Sequence, residues 1–212
     1  MSPDLQLVVV KVVALLFAVS FHESAHGYVA WKCGDPTAKD LGRISLNPLK
    51  HIDPIGSVVL PAILAFSGGP VFGWAKPVPV AINRTREPRR ANLLISAAGP
   101  ASNLLLAAAF AAVVFALRPA GAPGVVPEGI LFEFAFFSVV VNVVLAVFNL
   151  IPIPPLDGFG VLESLLPPSM AGSVQWMRKY GMIFLVIMIF SGGLSSVLGP
   201  PLNLVYRWML GL

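Results

Sequence analysis

Apolar residues run almost without interruption over 5–31, 92–117, 131–150 and 180–199. At 1.5 Å of rise per residue, each run is long enough to carry a helix across a hydrocarbon core about 30 Å thick. Gly34, Asp35 and Pro36 close the first run. Residues 55–70, IGSVVLPAILAFSGGP, are apolar again but short and contain Pro61, a pattern that predicts a re-entrant hairpin more than a full span. VFGWAKPVPVAIN, residues 71–83, alternates small, aromatic and β-branched residues with prolines and predicts an extended strand or loop. The second long run opens with AAGPASN, whose small residues permit close helix packing. NLIPIPPLDGFG, residues 149–160, cannot be regular helix with Pro152, Pro154 and Pro155 so close together. Residues 200–212 predict a short terminal or interfacial helix. The expected fold is an all-α polytopic membrane protein, a bundle of about four to six transmembrane helices with a re-entrant or β-like element between helices 1 and 2. Residues 1–212 form one membrane-embedded domain on this reading.

Composition supports the bilayer: 57% of the 212 residues are hydrophobic and 11% charged, with a mean hydropathy of +0.84. A soluble domain would have to expose too much of that surface. The net charge of +4 does not point to nucleic acid, because the basic residues sit in short loops without an aromatic-basic recognition motif. If 55–70 dips in and returns, loops 32–54, 76–90 and 151–179 share one side and hold most of the Lys and Arg. The positive-inside rule makes that side cytosolic, in the plasma or inner membrane, with the N-terminus outside. Asp4 stands where a signal peptide would be basic, and no A-x-A-like site follows, so the first run is expected to persist. Cys33 has no second thiol to pair with.

The polar break in the first run is HESAH. His22 and His26, four apart, lie about 40° apart on a helix and one turn along it, so both imidazoles can face one metal ion. Glu23 sits at the edge of that face, where a general base belongs in an H-E-x-x-H zinc site. A shuffled chain of this composition would show the pattern about once in a thousand. The competing reading is a set of polar residues facing the bundle and bonded to each other or to water, although burying them in a span is costly. Zinc normally takes three protein ligands in a catalytic site. Asp4, Glu128 and Glu133 lie far from the histidines in this topology, and Asp35, Asp40, Asp53 and His51 occupy the following loop. Asp157 lies at the same membrane face as His26, in an irregular apolar segment where an unpaired carboxylate is expensive. A ligand and a D-G turn residue both stay open for it.

HESAH, AAGPASN and NLIPIPPLDG, in that order, resemble the site-2 protease family of intramembrane zinc metalloproteases, and GRISLNPLKHIDPIGSVVLP with FGWAKPVPV is similar to its short prokaryotic branch without a PDZ domain. The resemblance implies one Zn2+ per chain bound by His22, His26 and Asp157, with Glu23 as catalytic base. It implies a substrate or oxyanion role for Asn149, for which a helix C-cap is the alternative. His51, in KHIDP, either contacts substrate or guards the cleft, or is a histidine of a membrane-surface loop. The implied activity is hydrolysis of peptide bonds in or near transmembrane segments of membrane proteins, so the partners are such substrates and the lipid bilayer. The extended segment is either a platform for an unwound substrate or a loop packed on the bundle. A metal transporter and a catalytically silent metal-binding scaffold are the competing classes.

Overall fold

The computed structural model describes residues 3–60, 63–64, 73–118, 127 and 129–210. Helix α1 spans Pro3–Lys32 and ends where Gly34, at φ +108°, lets the chain turn back on itself. Gly34 N–H donates to Trp31 O at 3.0 Å and Asp35 N–H to Ala30 O at 3.0 Å, closing the last turn as a Schellman cap. A single turn, α2 (Thr37–Asp40), follows. Long helices α3 (Pro88–Leu117) and α4 (Ile130–Asn149) come next, the first with Pro88 at its opening position, where a missing N–H costs nothing. Then come α5 (Asp157–Leu165), α6 (Ala171–Phe190) and α7 (Gly193–Leu210).

Four helices among the described residues, Leu5–Lys32, Pro88–Leu117, Ile130–Asn149 and Pro168–Phe190, are long and apolar enough to cross a membrane. Their packing is inverted relative to a soluble protein. Val8, Val9, Val12, Val13, Met182, Ile183, Phe184 and Phe190 are exposed, while Ser20, His22, Ser24, His26, Asn103, Ser138 and Asn142 are buried. That distribution suits a lipid solvent, in which polar groups must find partners inside the protein. The apolar core between α3, α4 and α7 is built from small residues interleaved with larger ones: Ala107, Ala111 and Val114 against Phe132, Ala135, Val139 and Met209.

Three expectations change. The run expected over 180–199 is not one helix: α6 begins at Ala171 and stops at Phe190, because Gly192 at φ +78° breaks the chain before α7 starts. The short terminal helix expected over 200–212 is instead the second half of the 18-residue α7, and residues 211–212 lie outside the described residues. The proline-rich segment turns irregularly through Ile151–Leu156 but becomes helix at Asp157 itself, once the prolines are past. The hairpin expected over 55–70 opens as a π-helical turn, Pro54–Val59, capped by Asp53 Oδ1 accepting from Gly56 N–H at 2.7 Å. Residues 61–62 and 65–72 lie outside the described residues.

No strand occurs among the described residues. The stretch 73–81 is extended, but each of its bonded N–H groups meets a different partner. Trp74 N–H donates to Gly56 O at 3.1 Å, Lys76 N–H to His51 O at 2.9 Å, and Ala81 N–H to Asp35 Oδ2 at 2.6 Å. Pro77 and Pro79 have no N–H to offer a second edge. It is a strap laid across the protein end of α1, fixed from outside by Arg43, whose guanidinium donates to Lys76 O at 2.9 Å.

Asp35 anchors this arrangement. Its side chain is fully buried and accepts from Thr37 N–H at 3.0 Å and from Ala81 N–H. Burial pushes its carboxyl pKa up, but the donated bonds from Thr37 and Ala81, with Arg84 nearby, outweigh that and hold it below the usual carboxylate value. A depressed folded value stabilises the fold above the unfolded pKa of about 4, and the contribution disappears as pH falls through the lower folded value. Asp35→Ala is therefore expected to cost about 2 kcal/mol at pH 7. Chemical denaturation in detergent at pH 7 and pH 3 should show the gap between wild type and variant narrowing in acid; a gap that widens would refute the role.

Candidate metal centre

His22 and His26 sit one turn apart on the inner face of α1, 7% and 9% exposed. Their Nε2 atoms are 3.1 Å apart. Asp157, the first residue of α5, brings Oδ2 to 3.1 Å from His22 Nε2 and 3.3 Å from His26 Nε2. Among the described residues this is the one group of three His, Cys, Asp or Glu side chains able to converge on a metal ion.

Asp157 reaches the histidines because α5 is clamped against α3. Arg89 donates from Nε to Ser164 O at 2.6 Å and from its terminal nitrogen to Leu166 O at 2.8 Å. Asn92 Nδ2 donates to Gly160 O at 3.1 Å and Ser164 Oγ at 2.9 Å. A Cβ at Gly160 would collide with Ser96 Oγ, and one at Gly158 with Leu150 O, so the D-G-F-G sequence is what allows the approach. From the other side Pro154 packs into the surface left by Gly181 of α6.

Helix α3 forms the back wall of the cluster. A Cβ at Gly99 would fall on His26 Nε2 and lie 2.6 Å from His22 Nε2. His26 Nδ1 donates to Ile95 O at 2.7 Å, which leaves its Nε2 with a free lone pair. Behind His22, Nδ1 lies 2.6 Å from Asn103 Oδ1. The AAGPASN stretch, legible in the sequence as a packing motif, thus also shapes the site; its signal was a glycine and an asparagine four residues apart on one helix face. Pro100 lies between them, inside the helix.

These residues fit a metal ion. Tetrahedral bonds of about 2.05 Å place ligand atoms about 3.3 Å apart, close to the 3.1 to 3.3 Å found here. Asp157 Oδ2 is buried and has no hydrogen bond, despite facing two ring nitrogens. A carboxylate oxygen set against ring nitrogens without a hydrogen bond is costly in an apolar interior unless a cation lies between them. Two imidazoles and a carboxylate are a donor set that suits zinc.

The other predicted residues lie as follows. Glu23, half-buried, accepts at Oε2 from Val78 N–H of the strap at 2.8 Å. Asn149 is the last residue of α4, and its Nδ2 donates back to Leu145 O at 3.0 Å. His51 is 2% exposed; its Nε2 lies 2.7 Å from Ser45 O, and its Nδ1 is buried without a partner. The strap's N–H groups at 74, 76, 78 and 81 are engaged within the chain, which packs this edge of the segment on the bundle.

A helical membrane protein in which an aspartate meets the two histidines of an H-E-x-x-H helix has the donor set of a metalloprotease. Residues 121–190, which include Asp157, match peptidase family M50. The chain is 40% identical to a Bacillus subtilis protein named "Putative zinc metalloprotease YwhC", over 94% of this chain and 88% of that one. It is 32% identical to the Mycolicibacterium smegmatis protein named "Putative zinc metalloprotease Rip2", over 93% of this chain and 68% of the relative, and 28% identical to the Rip2 of Mycobacterium tuberculosis H37Rv, over 96% and 71%. The chain belongs to peptidase family M50. No solved structure matches it.

Gly99→Ala is expected to abolish stoichiometric metal uptake while helix content persists, because its new methyl occupies the space between the two Nε2 atoms. Asp157→Ala should lower zinc occupancy as well. Metal analysis of the purified variants with circular dichroism checks both; full occupancy in either would refute the assignment.

Proposed function

We propose that this protein is an intramembrane zinc endopeptidase that hydrolyses peptide bonds in or near the transmembrane segments of other membrane proteins. The observation that carries it is the convergence of His22, His26 and Asp157 at 3.1 to 3.3 Å inside a span, with Glu23 next in sequence to the first ligand. The relatives' names point the same way. The alternatives are weaker: a transporter needs successive ligand sets along a path, and a single cluster is present among the described residues. A silent scaffold would have no use for Glu23 in this position.

Zinc held by the three residues supplies Lewis acidity toward water and a peptide carbonyl. The chain's own groups then act as follows. Val78 N–H donates to Glu23 Oε2, fixing the carboxylate's orientation. Glu23 Oε1 is left to take a proton from the attacking water and return it to the leaving amine nitrogen. Asn149 and His51 are assigned to the substrate side, Asn149 by releasing its Leu145 bond to meet the developing oxyanion.

Position supports access for water. His26 is six residues from the end of α1, about 9 Å of rise. At that end Lys39 Nζ lies 4.1 Å from the Trp31 ring centroid, the kind of aromatic-basic pair that marks a membrane interface. Arg89, Arg178 and Glu163 gather at the same face, where Arg178 bonds Glu163 at 2.7 Å. The excess of Lys and Arg in the loops at this face supports a cytosolic orientation, in keeping with the positive-inside rule.

Glu23→Gln should retain one zinc per chain and lose cleavage of a transmembrane test substrate by at least about a hundredfold. Equal cleavage by wild type and variant in detergent would refute Glu23 as the base; absence of cleavage by zinc-loaded wild type across several transmembrane substrates would refute the peptidase reading.

A further inference from the structure

Behind His22 lies a line of buried amides that joins three helices. Asn103 of α3 and Asn142 of α4 are both 0% exposed. Asn103 Nδ2 donates to Asn142 Oδ1 at 2.7 Å and to Ala18 O of α1 at 3.3 Å. Asn142 Nδ2 donates to Ser138 O at 2.8 Å.

We propose that Asn103 is a positioning residue for the metal, dictating which nitrogen of His22 is free to bind it, and that Asn142 sets the direction of the Asn103 amide. The inference rests on the metal-site reading above. It follows from two backbone carbonyls, which can only accept hydrogen bonds. Ser138 O requires the NH2 of Asn142, so Asn142 turns its oxygen toward Asn103. Asn103 must then present its own NH2 to Asn142 and to Ala18 O, and its oxygen is left facing His22 Nδ1 at 2.6 Å. That oxygen can be met only by N–H, so the ring hydrogen of His22 sits on Nδ1 and the lone pair on Nε2, 3.1 Å from Asp157 Oδ2. Turning either amide over would set oxygen against oxygen and N–H against N–H in a buried setting where each depends on protein partners. His26 reaches the same state through a single step, because Ile95 O accepts from its Nδ1 directly. Both ligands are thus oriented by main-chain carbonyls, one directly and one through two amides, the arrangement that outer partners of metal-bound histidines commonly serve.

Polar side chains between membrane helices also act as simple interhelical contacts, and the test separates the two roles. Full-length protein in detergent is stripped of metal, and zinc affinity is measured by competition with a chromophoric chelator, with Co2+ absorption as a second readout. Asn103→Leu should weaken zinc binding about 10- to 100-fold and alter the Co2+ bands. Asn103→Asp keeps an oxygen toward His22 Nδ1–H, although its second oxygen then faces Asn142 Oδ1 and Ala18 O, and it should bind zinc more tightly than Asn103→Leu. Asn142→Leu should weaken binding less than Asn103→Leu, and combining the two should add nothing, since Asn142 acts only through Asn103. Three results would overturn the proposal: equal weakening by Leu and Asp at position 103, additive losses in the double variant, or unchanged zinc affinity and Co2+ bands with only a lowered melting temperature. Wild-type protein that takes up no zinc would refute the metal site itself, a failure visible before any variant is compared.

Discussion

Two imidazole nitrogens and a carboxylate oxygen from two distant parts of the chain meet within about 3.3 Å in the interior of an apolar bundle. Each of them would be solvated in water, and none can be left unsatisfied in hydrocarbon. The rest of the fold follows from meeting that demand. It explains why polar side chains are buried between apolar helices whose outer faces are exposed, and why glycines cluster where α3 meets α1 and α5. A side chain at Gly99 would occupy the ligand site, and one at Gly160 would push Asp157 off it.

Helix α3 is the element on which the centre is assembled. Its first two turns clamp α5 through Arg89 and Asn92, its middle supplies Ile95 O and the gap at Gly99, and its next turn brings Asn103 against His22. Ligands on α1 and α5 therefore share one rigid support rather than relying on loops. Preorganisation of this kind is what a catalytic metal site requires, since displacement of a ligand by an ångström is enough to weaken it.

On an adjacent face of α1 the strap holds Glu23 in the same way. It is tied at Gly56, His51 and Asp35, and between those ties Val78 supplies the N–H that holds the carboxylate. Pro77 and Pro79 on either side fix the local backbone and remove competing donors. Val78 also packs its side chain on Gly27, whose Cβ would approach within 3.0 Å of it. Glu23 is thus held by main chain rather than by a second side chain.

The membrane setting and the H-E-x-x-H pattern were legible in the sequence alone. Apolar runs of about 20 residues fix the first three spans to within a few residues, because periodicity and length are local properties. H-E-x-x-H is equally local: a helix of any surroundings sets His22 and His26 on one face. The sequence misjudged the last spans, where Gly192 rather than hydropathy sets the boundary, and it left open Asp157, Asn103 and the strap. Those depend on contacts between residues 55 to 135 positions apart. A turn aspartate becomes part of a metal-binding cluster, an asparagine in a packing motif reaches a histidine, and a proline-rich loop grips a glutamate only once α1, α3 and α5 are docked. Tertiary structure decided these because lone-pair direction and steric room at a glycine are properties of the assembled bundle.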